Sequence, residues 1–158
     1  MRSSIVGTIL GAAILFISLI VLPIYFVSIV NWRDDMNTCQ TAARNFVDMV
    51  IDNGQVTDKA LSDLNLALAS CTGTFVYEYY KEEKTTNPAV RYINGVEVDT
   101  TETTWNIVTV NNDTIWREGD LVTIVIEQQG MNLFQRLSAA LIGSSYTSVE
   151  VRLSGMVR

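Results

Sequence analysis

The sequence predicts an α+β protein in which one long N-terminal helix, partly transmembrane and partly amphipathic, packs on a small antiparallel β-sheet. Three observations predict this fold class. Residues 5–30 form an apolar run without a charged side chain. Apolar residues then recur at helical spacing as far as Val50. The second half of the chain contains short segments in which β-branched and aromatic residues alternate with polar ones, as in half-buried strands.

The apolar run is long enough to span a bilayer, because a hydrocarbon core of about 30 Å requires about 20 helical residues. A cleaved secretory signal has a shorter apolar core, followed by small residues at the cleavage site. We therefore predict an uncleaved anchor over residues 1–30, with Tyr25 and Trp32 at the outer interface. Because Arg2 precedes the helix and no basic excess follows it, we expect a cytoplasmic N-terminus and an extracellular body over residues 31–158.

Three residues give this helix features beyond anchoring. Gly7 and Gly11 lie four residues apart, so they share a face on which a second helix can approach closely in lipid. Small residues are also common in membrane helices that have no such role, and both interpretations remain open. Pro23 has no backbone N–H and frees the carbonyl of Leu19, which predicts a kink or local loss of helix there.

The helical pattern continues beyond the membrane. Apolar residues recur there at spacings of three and four, on one helical face: Met36, Cys39, Ala43, Phe46 and Val50. No strong helix breaker occurs before the Asn-Gly pair at residues 53–54. We predict that residues 31–52 continue the same helix and pack this stripe against the sheet.

A second helix is predicted over residues 56–71. Thr57 is a favourable N-cap, and Asp58 suits the first turn of a helix. Cys39 and Cys71 lie on the apolar stripes of the two helices, and antiparallel packing would bring those stripes together. An extracellular compartment permits oxidation, so we expect a disulfide between them. Two buried free thiols are the alternative.

The sheet is predicted to occupy residues 74–158. TFVYEYY has the alternation of a strand, the polar KEEKTTNP that follows is expected to be a loop, and the Asn-Gly pair at 94–95 predicts a hairpin. WNIVTV and DTIW are expected to flank a second turn. The more continuously apolar DLVTIVIEQ is expected to be a central strand. An inserted amphipathic helix over residues 131–142, ended by Gly143, precedes a terminal strand in SVEVRL.

Composition excludes several functional classes. The net charge is −6, so the chain has no excess of basic residues with which to neutralise nucleic-acid phosphates. There is no histidine, which removes the commonest general base and the commonest metal ligand. We therefore expect no enzymatic activity, no catalytic, cofactor-binding or metal-binding residues, and no direct nucleic-acid partner.

The order of these elements resembles that of type IV pilins and pseudopilins. These proteins also have a long apolar helix, interrupted by a proline near its outer end, that continues as an amphipathic helix onto an antiparallel sheet. GDLVTIVIEQQG, followed by LFQRLSAALIG and SVEVRLSGMVR, resembles minor pilins of the tight-adherence (TadE-like) group. The resemblance implies a structural subunit of a cell-surface filament, built from copies of itself or other pilins by a membrane assembly platform and its ATPase.

The chain departs from the pilin pattern at the leader site. Pilins are cleaved after a glycine, and the mature helix carries glutamate at its fifth position. Cleavage after Gly7 would place Ala12 in the fifth position, and cleavage after Gly11 would place Phe16 there. The apolar run contains no glutamate, so leader removal stays open, as does the salt bridge that such a glutamate makes between subunits.

Two functions are consistent with these features. The first is a subunit of a type IV, Tad-like, conjugation or secretion filament, assembled through its N-terminal helix. The alternative is a single-pass membrane protein whose extracellular domain binds a partner without polymerising. The apolar stripe beyond the membrane favours the first function, because a simple tether tends to be polar and flexible there.

Overall fold

The structure, a computed structural model, describes residues 2–93, 95–111, 114–143 and 148–158. Its helices are α1 (Arg2–Phe16), α2 (Leu22–Asn53), α3 (Asp58–Ala69) and α4 (Leu133–Ile142), with a π-helical segment, Ile17–Val21, between α1 and α2. Its strands are β1 (Thr74–Ile93), β2 (Val96–Val108), β3 (Leu121–Gln129) and β4 (Glu150–Met156). The long N-terminal apolar helix and the four-stranded antiparallel sheet confirm the predicted α+β class.

The strand order in the sheet is β2-β1-β3-β4. The first part of β1, residues 74–82, pairs with β3, whereas residues 81–93 pair with β2. Alternation along β3 directs Val122, Ile124 and Ile126 to one face, where all three are buried. This buried face of the sheet is the surface on which the helices pack.

The helix α2 covers the buried face of the sheet. Ala43, Phe46 and Val50 of its apolar stripe are completely buried, and the Phe46 ring lies 5.3 Å from the Tyr79 ring of β1. Full burial of a side chain such as Phe46 or Val50 stabilises the fold by about 1.5–3 kcal/mol. Met36, nearer the membrane-facing end of the stripe, is only half-buried.

The N-terminal helix runs without a gap from α1 through the π-helical segment into α2. The Leu22 N–H donates to the carbonyl of Ile17, five residues earlier, immediately before Pro23. The irregularity next to the proline therefore takes the form of a π-helical turn, and the helix does not melt there. The helix ends at Gly54, whose φ of +64° is the left-handed conformation that suits glycine.

The predicted loop KEEKTTNP is wrong, because these residues belong to β1 and pair with β2 throughout. Polar composition predicts a loop, but polar side chains are also stable on a strand whose faces are largely exposed. Beyond Glu82 no described strand pairs with the other edge of β1, so Pro88 is tolerated on an open edge although it has no N–H to donate.

The predicted strand DTIW is not a strand in the part that the structure describes. Ile115 makes one isolated bridge with Gln55, and the Trp116 N–H donates to the Gly54 carbonyl at 2.8 Å. The Trp116 side chain is buried in the core. This segment therefore joins the end of α2 to the sheet. Asn112 of the predicted second turn, Asp113 of the predicted strand and Asn94 of the predicted hairpin lie outside the described residues.

Candidate functional site

The apolar N-terminal half of the long helix is uncovered. Residues Ile5–Asn53 form one helix of 49 residues. An 18-residue stretch of this helix has a mean hydropathy of 2.8, and none of its residues is buried. At 1.5 Å per residue the helix is about 70 Å long. It is therefore long and apolar enough to cross a membrane, by length and composition, with its outer half packed on the sheet.

The glycine pair lies on the open surface of α1. A Cβ atom built on Gly7 or Gly11 would have no atom of another described element within 4 Å. Packing among the described residues therefore does not require glycine at either position. Pro23 lies in the same exposed part of the helix. Leader cleavage after Gly7 and the direction in which the helix crosses a membrane stay predictions.

Asp35 joins the N-terminal helix to the body where the helix leaves the apolar run. Its carboxylate accepts hydrogen bonds from the Thr72 N–H at 2.9 Å, the Thr72 hydroxyl at 2.6 Å and the Gly73 N–H at 3.0 Å. The side chain is 5% exposed. This role was not predicted from the sequence, although Asp35 lies one helical turn before Cys39 on the buried face, a position at which a charged residue requires partners.

The two cysteines are brought together as predicted by helix packing, but the structure contains them as free thiols without the predicted disulfide. Burial, together with the neighbouring Cys71 thiol and Asp35 carboxylate, raises the pKa of Cys39 to about 12. Burial and Asp35 also raise the pKa of Cys71, against the hydrogen bond with Cys39. The reactive thiolate is thus disfavoured at both positions.

Alkylation of the native chain at pH 8 is expected to modify Cys71, which is half-buried, and to leave Cys39 unmodified. The modified residues would be identified by peptide mass spectrometry. Both thiols should react in denaturant without a reductant. If neither reacts in denaturant until a reductant is added, the two cysteines form the disulfide in the mature protein, contrary to this structure.

A buried lysine of β1, Lys81, binds the segment of chain that connects β2 to β3. The Lys81 ammonium contacts Glu83 Oε1 at 2.7 Å, Asp120 Oδ2 at 2.9 Å and the Ile115 carbonyl at 2.9 Å. Burial by itself would lower the pKa of Lys81, but hydrogen bonds and charge interactions with Glu83 and Asp120 outweigh it and raise the pKa. Lys81 therefore stays charged and fixes the segment before β3 against β1.

Replacing Lys81 with methionine is expected to lower the free energy of unfolding by about 2 kcal/mol near neutral pH, because Asp120 loses its buried partner. Since the native pKa is raised, the contribution of the charged lysine is complete below its ordinary pKa of 10.5. This contribution is lost as the pH rises through the native pKa of Lys81. The difference in the free energy of unfolding between the native protein and Lys81→Met should therefore become smaller in that pH range. Urea unfolding across pH measures this, with the exposed Lys84→Met as control.

A two-stranded arm, residues 83–93 of β1 and 96–106 of β2, extends beyond the part of the sheet that pairs with β3. On the face of the sheet opposite α2, the arm and its base expose apolar side chains: Val90, Tyr92, Trp105 and Ile107. Two strands alone are marginally stable in water. The arm is therefore a second surface that a neighbouring molecule could cover.

The short helix α4 lies beside the outer end of the apolar run. Its Phe134 ring stacks on Trp32 at 5.2 Å and lies 5.6 Å from the Tyr25 ring. The Ser138 hydroxyl also donates to the Tyr25 hydroxyl at 3.3 Å. Both aromatic residues predicted at the membrane interface thus hold α4 against the long helix.

The described residues define an α+β body carried on a helix that is long and apolar enough to span a membrane. Among residues 2–93, 95–111, 114–143 and 148–158, no three acidic or cysteine side chains are grouped so that they could hold a metal ion. Comparison with protein-family models, with curated proteins and with solved structures finds no match for this chain.

Proposed function

We propose that this protein is a structural subunit of a cell-surface filament of the pilus class and that it assembles through its N-terminal helix. The observation that carries the proposal is one uninterrupted helix with two environments. An 18-residue stretch of its apolar half contains no buried residue, and one face of its outer half is buried on the body. Such a helix can occupy a bilayer before assembly and the core of a filament afterwards.

The energetics of the exposed apolar half support assembly. Side chains such as Ile9 and Leu19 are more than half exposed, and leaving a residue of this size in water costs about 1.5–3 kcal/mol relative to burial. Summed over the apolar run, that cost excludes an aqueous state for the helix. Lipid or neighbouring helices must cover it, and a filament core supplies the same cover as lipid once subunits leave the membrane.

The fixed connection between helix and body supports a filament over a simple tether. Asp35 holds the helix to the turn before β1, and the stripe that ends at Val50 holds it to the sheet. When such helices pack side by side, the positions of their bodies follow from the positions of the helices. The exposed arm then offers a contact between neighbouring bodies.

The resemblance to pilins also supports a filament subunit. The absence of glutamate from the apolar run changes how the helices would pack. A pilin helix uses that charge to pair with its neighbour, and this apolar run contains none. Close approach at Gly7 and Gly11 takes its place in the proposal, because small residues let helix backbones meet in lipid.

Gly7→Ile and Gly11→Ile are each expected to weaken self-association of the N-terminal helix by roughly tenfold, or about 1.4 kcal/mol. The added side chains would hold the two backbones apart. A transmembrane-helix association reporter in a bacterial inner membrane measures this effect. Ala13→Ile, on the opposite face of α1, is the matched control. Equal association of all three variants would contradict packing through the glycine face.

Assembly itself is tested on material sheared from the cell surface. Filaments whose subunits begin at Thr8 or Ala12, by N-terminal mass analysis, would support the proposal and identify the leader site. An intact chain found only in the membrane fraction, without filaments, would contradict it and favour the non-polymerising binding protein. A cleft of about 320 Å³ between α2 and α3, lined in part by Asn37, Thr41 and Asp63, is the feature that favours this alternative.

A further inference from the structure

The apolar surface of α4 is larger than its contact with the long helix. Phe134 and Ser138 make that contact. The apolar side chains around the contact stay uncovered: Leu133 is 56% exposed, Leu141 is 50% exposed and Ile142 is 72% exposed. The helix itself is well defined, because the side chains of Asn132 and Gln135 form a capping box at its start. A stable helix thus presents apolar residues that the described chain does not cover.

The direction of α4 carries these residues toward the membrane. Phe134 lies against both Trp32 and Tyr25, and Ser138, one turn later, hydrogen-bonds the more N-terminal of the two. The helix α4 therefore descends along α2 toward the apolar run. Its last residues, Leu141 and Ile142, lie at the end nearest the run.

Helix geometry places this descent at the outer boundary of a bilayer. About 20 helical residues cross the hydrocarbon core, so a span that begins at Ile5 reaches its outer limit near Ile24. Tyr25 then falls in the interfacial layer, which aromatic residues favour, and Trp32 lies about 12 Å outside the core at 1.5 Å per residue. Phe26 and Val30 of the long helix are also exposed at this level.

Charge around α4 is consistent with a lipid headgroup neighbour. Residues 131–143 contain no aspartate or glutamate in a chain whose net charge is −6, and their single charged residue is Arg136. The Arg136 side chain is exposed. A helix with an apolar face and a basic residue on its other side is the pattern of segments that lie in a membrane interface.

We propose that the C-terminal end of α4 inserts into the outer leaflet of the bilayer that the N-terminal helix spans. The body is then held at the membrane by two contacts, the long helix and α4, which restricts the tilt of the long helix in the bilayer. The occupant of the uncovered surface is lipid. This inference requires only that the N-terminal helix spans a bilayer, so it stands or fails independently of filament assembly.

The test uses the full chain in nanodiscs of phosphatidylcholine, at one chain per disc. An environment-sensitive fluorophore is attached at Ile142→Cys, Leu141→Cys or Leu133→Cys, and the chain without an added cysteine gives the background from Cys71. Leu66→Cys is the matched control, because Leu66 is an exposed helical leucine of α3 (74% exposed), outside α4 and the apolar run. Quenching by nitroxide-labelled lipid and by aqueous iodide reports the depth of each label.

Lipid nitroxide is expected to quench the labels at 141 and 142 several-fold more than the label at 66, with the label at 133 between them. Iodide should give the reverse order. Two deep positions are used so that a folding defect in one variant does not decide the result. Equal iodide access at 66, 141 and 142 would overturn the proposal. Protection that appears only with two or more chains per disc would also overturn it, since a second copy and not lipid would then cover α4.

Discussion

Asp35→Ala is expected to lower the free energy of unfolding of the body by about 3 kcal/mol. The carboxylate accepts three hydrogen bonds from Thr72 and Gly73, and a hydrogen bond to a charged group contributes about 1.5–3 kcal/mol. Alanine leaves two backbone N–H groups without their acceptor in a part-buried turn. Urea unfolding of the full chain in detergent micelles, followed by tryptophan fluorescence, measures the loss.

Asp34→Ala is the matched control, because Asp34 is the same residue one position earlier and is exposed. It should change stability by less than about 0.5 kcal/mol. Thr72→Val, which removes the hydroxyl and keeps the N–H, should cost less than Asp35→Ala and should cost little more when added to it, because both act on one group of bonds. Equal effects of Asp34→Ala and Asp35→Ala would show that the three bonds do not hold the helix to the body.

Gly155→Val is expected to destabilise the body by about 3 kcal/mol, although valine is favoured over glycine in a strand. Gly155 lies in β4 where the strand crosses α2. A Cβ atom there would lie 2.5 Å from Val47 Cγ1 and 2.8 Å from Ile51 Cδ1, both well inside van der Waals contact. Overpacking of a close-packed core costs about 1–3 kcal/mol, and a branched side chain falls at the upper end.

The sign of the Gly155→Val effect shows whether strand propensity or close packing decides stability at this position. Strand propensity alone predicts a gain in stability, whereas close approach of β4 and α2 predicts a loss. Met156→Val is the control on the opposite face of the same strand, where the side chain is about half exposed, and it should be near neutral. Val47→Ala, which removes the nearer of the two carbons, should recover part of the loss in the Gly155→Val protein by providing space. A stabilised Gly155→Val protein would contradict the packing of β4 on the helix.

Local patterns were enough to predict most of the elements. The spacing of Ala43, Phe46 and Val50 predicted the buried face of α2, and Thr57 was identified as the cap of α3, where its hydroxyl accepts from the Ala60 N–H at 3.2 Å. Gly143 was likewise predicted to end α4, and its φ is +72°. These features could be predicted because helix periodicity and caps depend on residues within about one turn of one another.

Polar residues with distant partners were not predicted. KEEKTTNP was interpreted as a solvated loop, yet it forms part of β1, and its first residue, Lys81, is buried against Asp120, 39 positions later. Asp35 likewise meets its partners only where α3 returns the chain to α2. A lysine or an aspartate in a sequence carries no sign of a partner so far along the chain, and without a partner the exposed state is the favourable one.

The sequence by itself determined the class of this protein: a long helix with an uncovered apolar half, and an antiparallel sheet that the amphipathic half covers. Apolar periodicity is sufficient for this, because burial of apolar surface is the dominant favourable term in folding and acts on every such residue alike. Only the tertiary structure decided how the helix is fixed to the body through Asp35, why residue 155 is a glycine, and where α4 lies. Each of these depends on contacts between segments far apart in the chain, and their geometry arises only after the elements have packed.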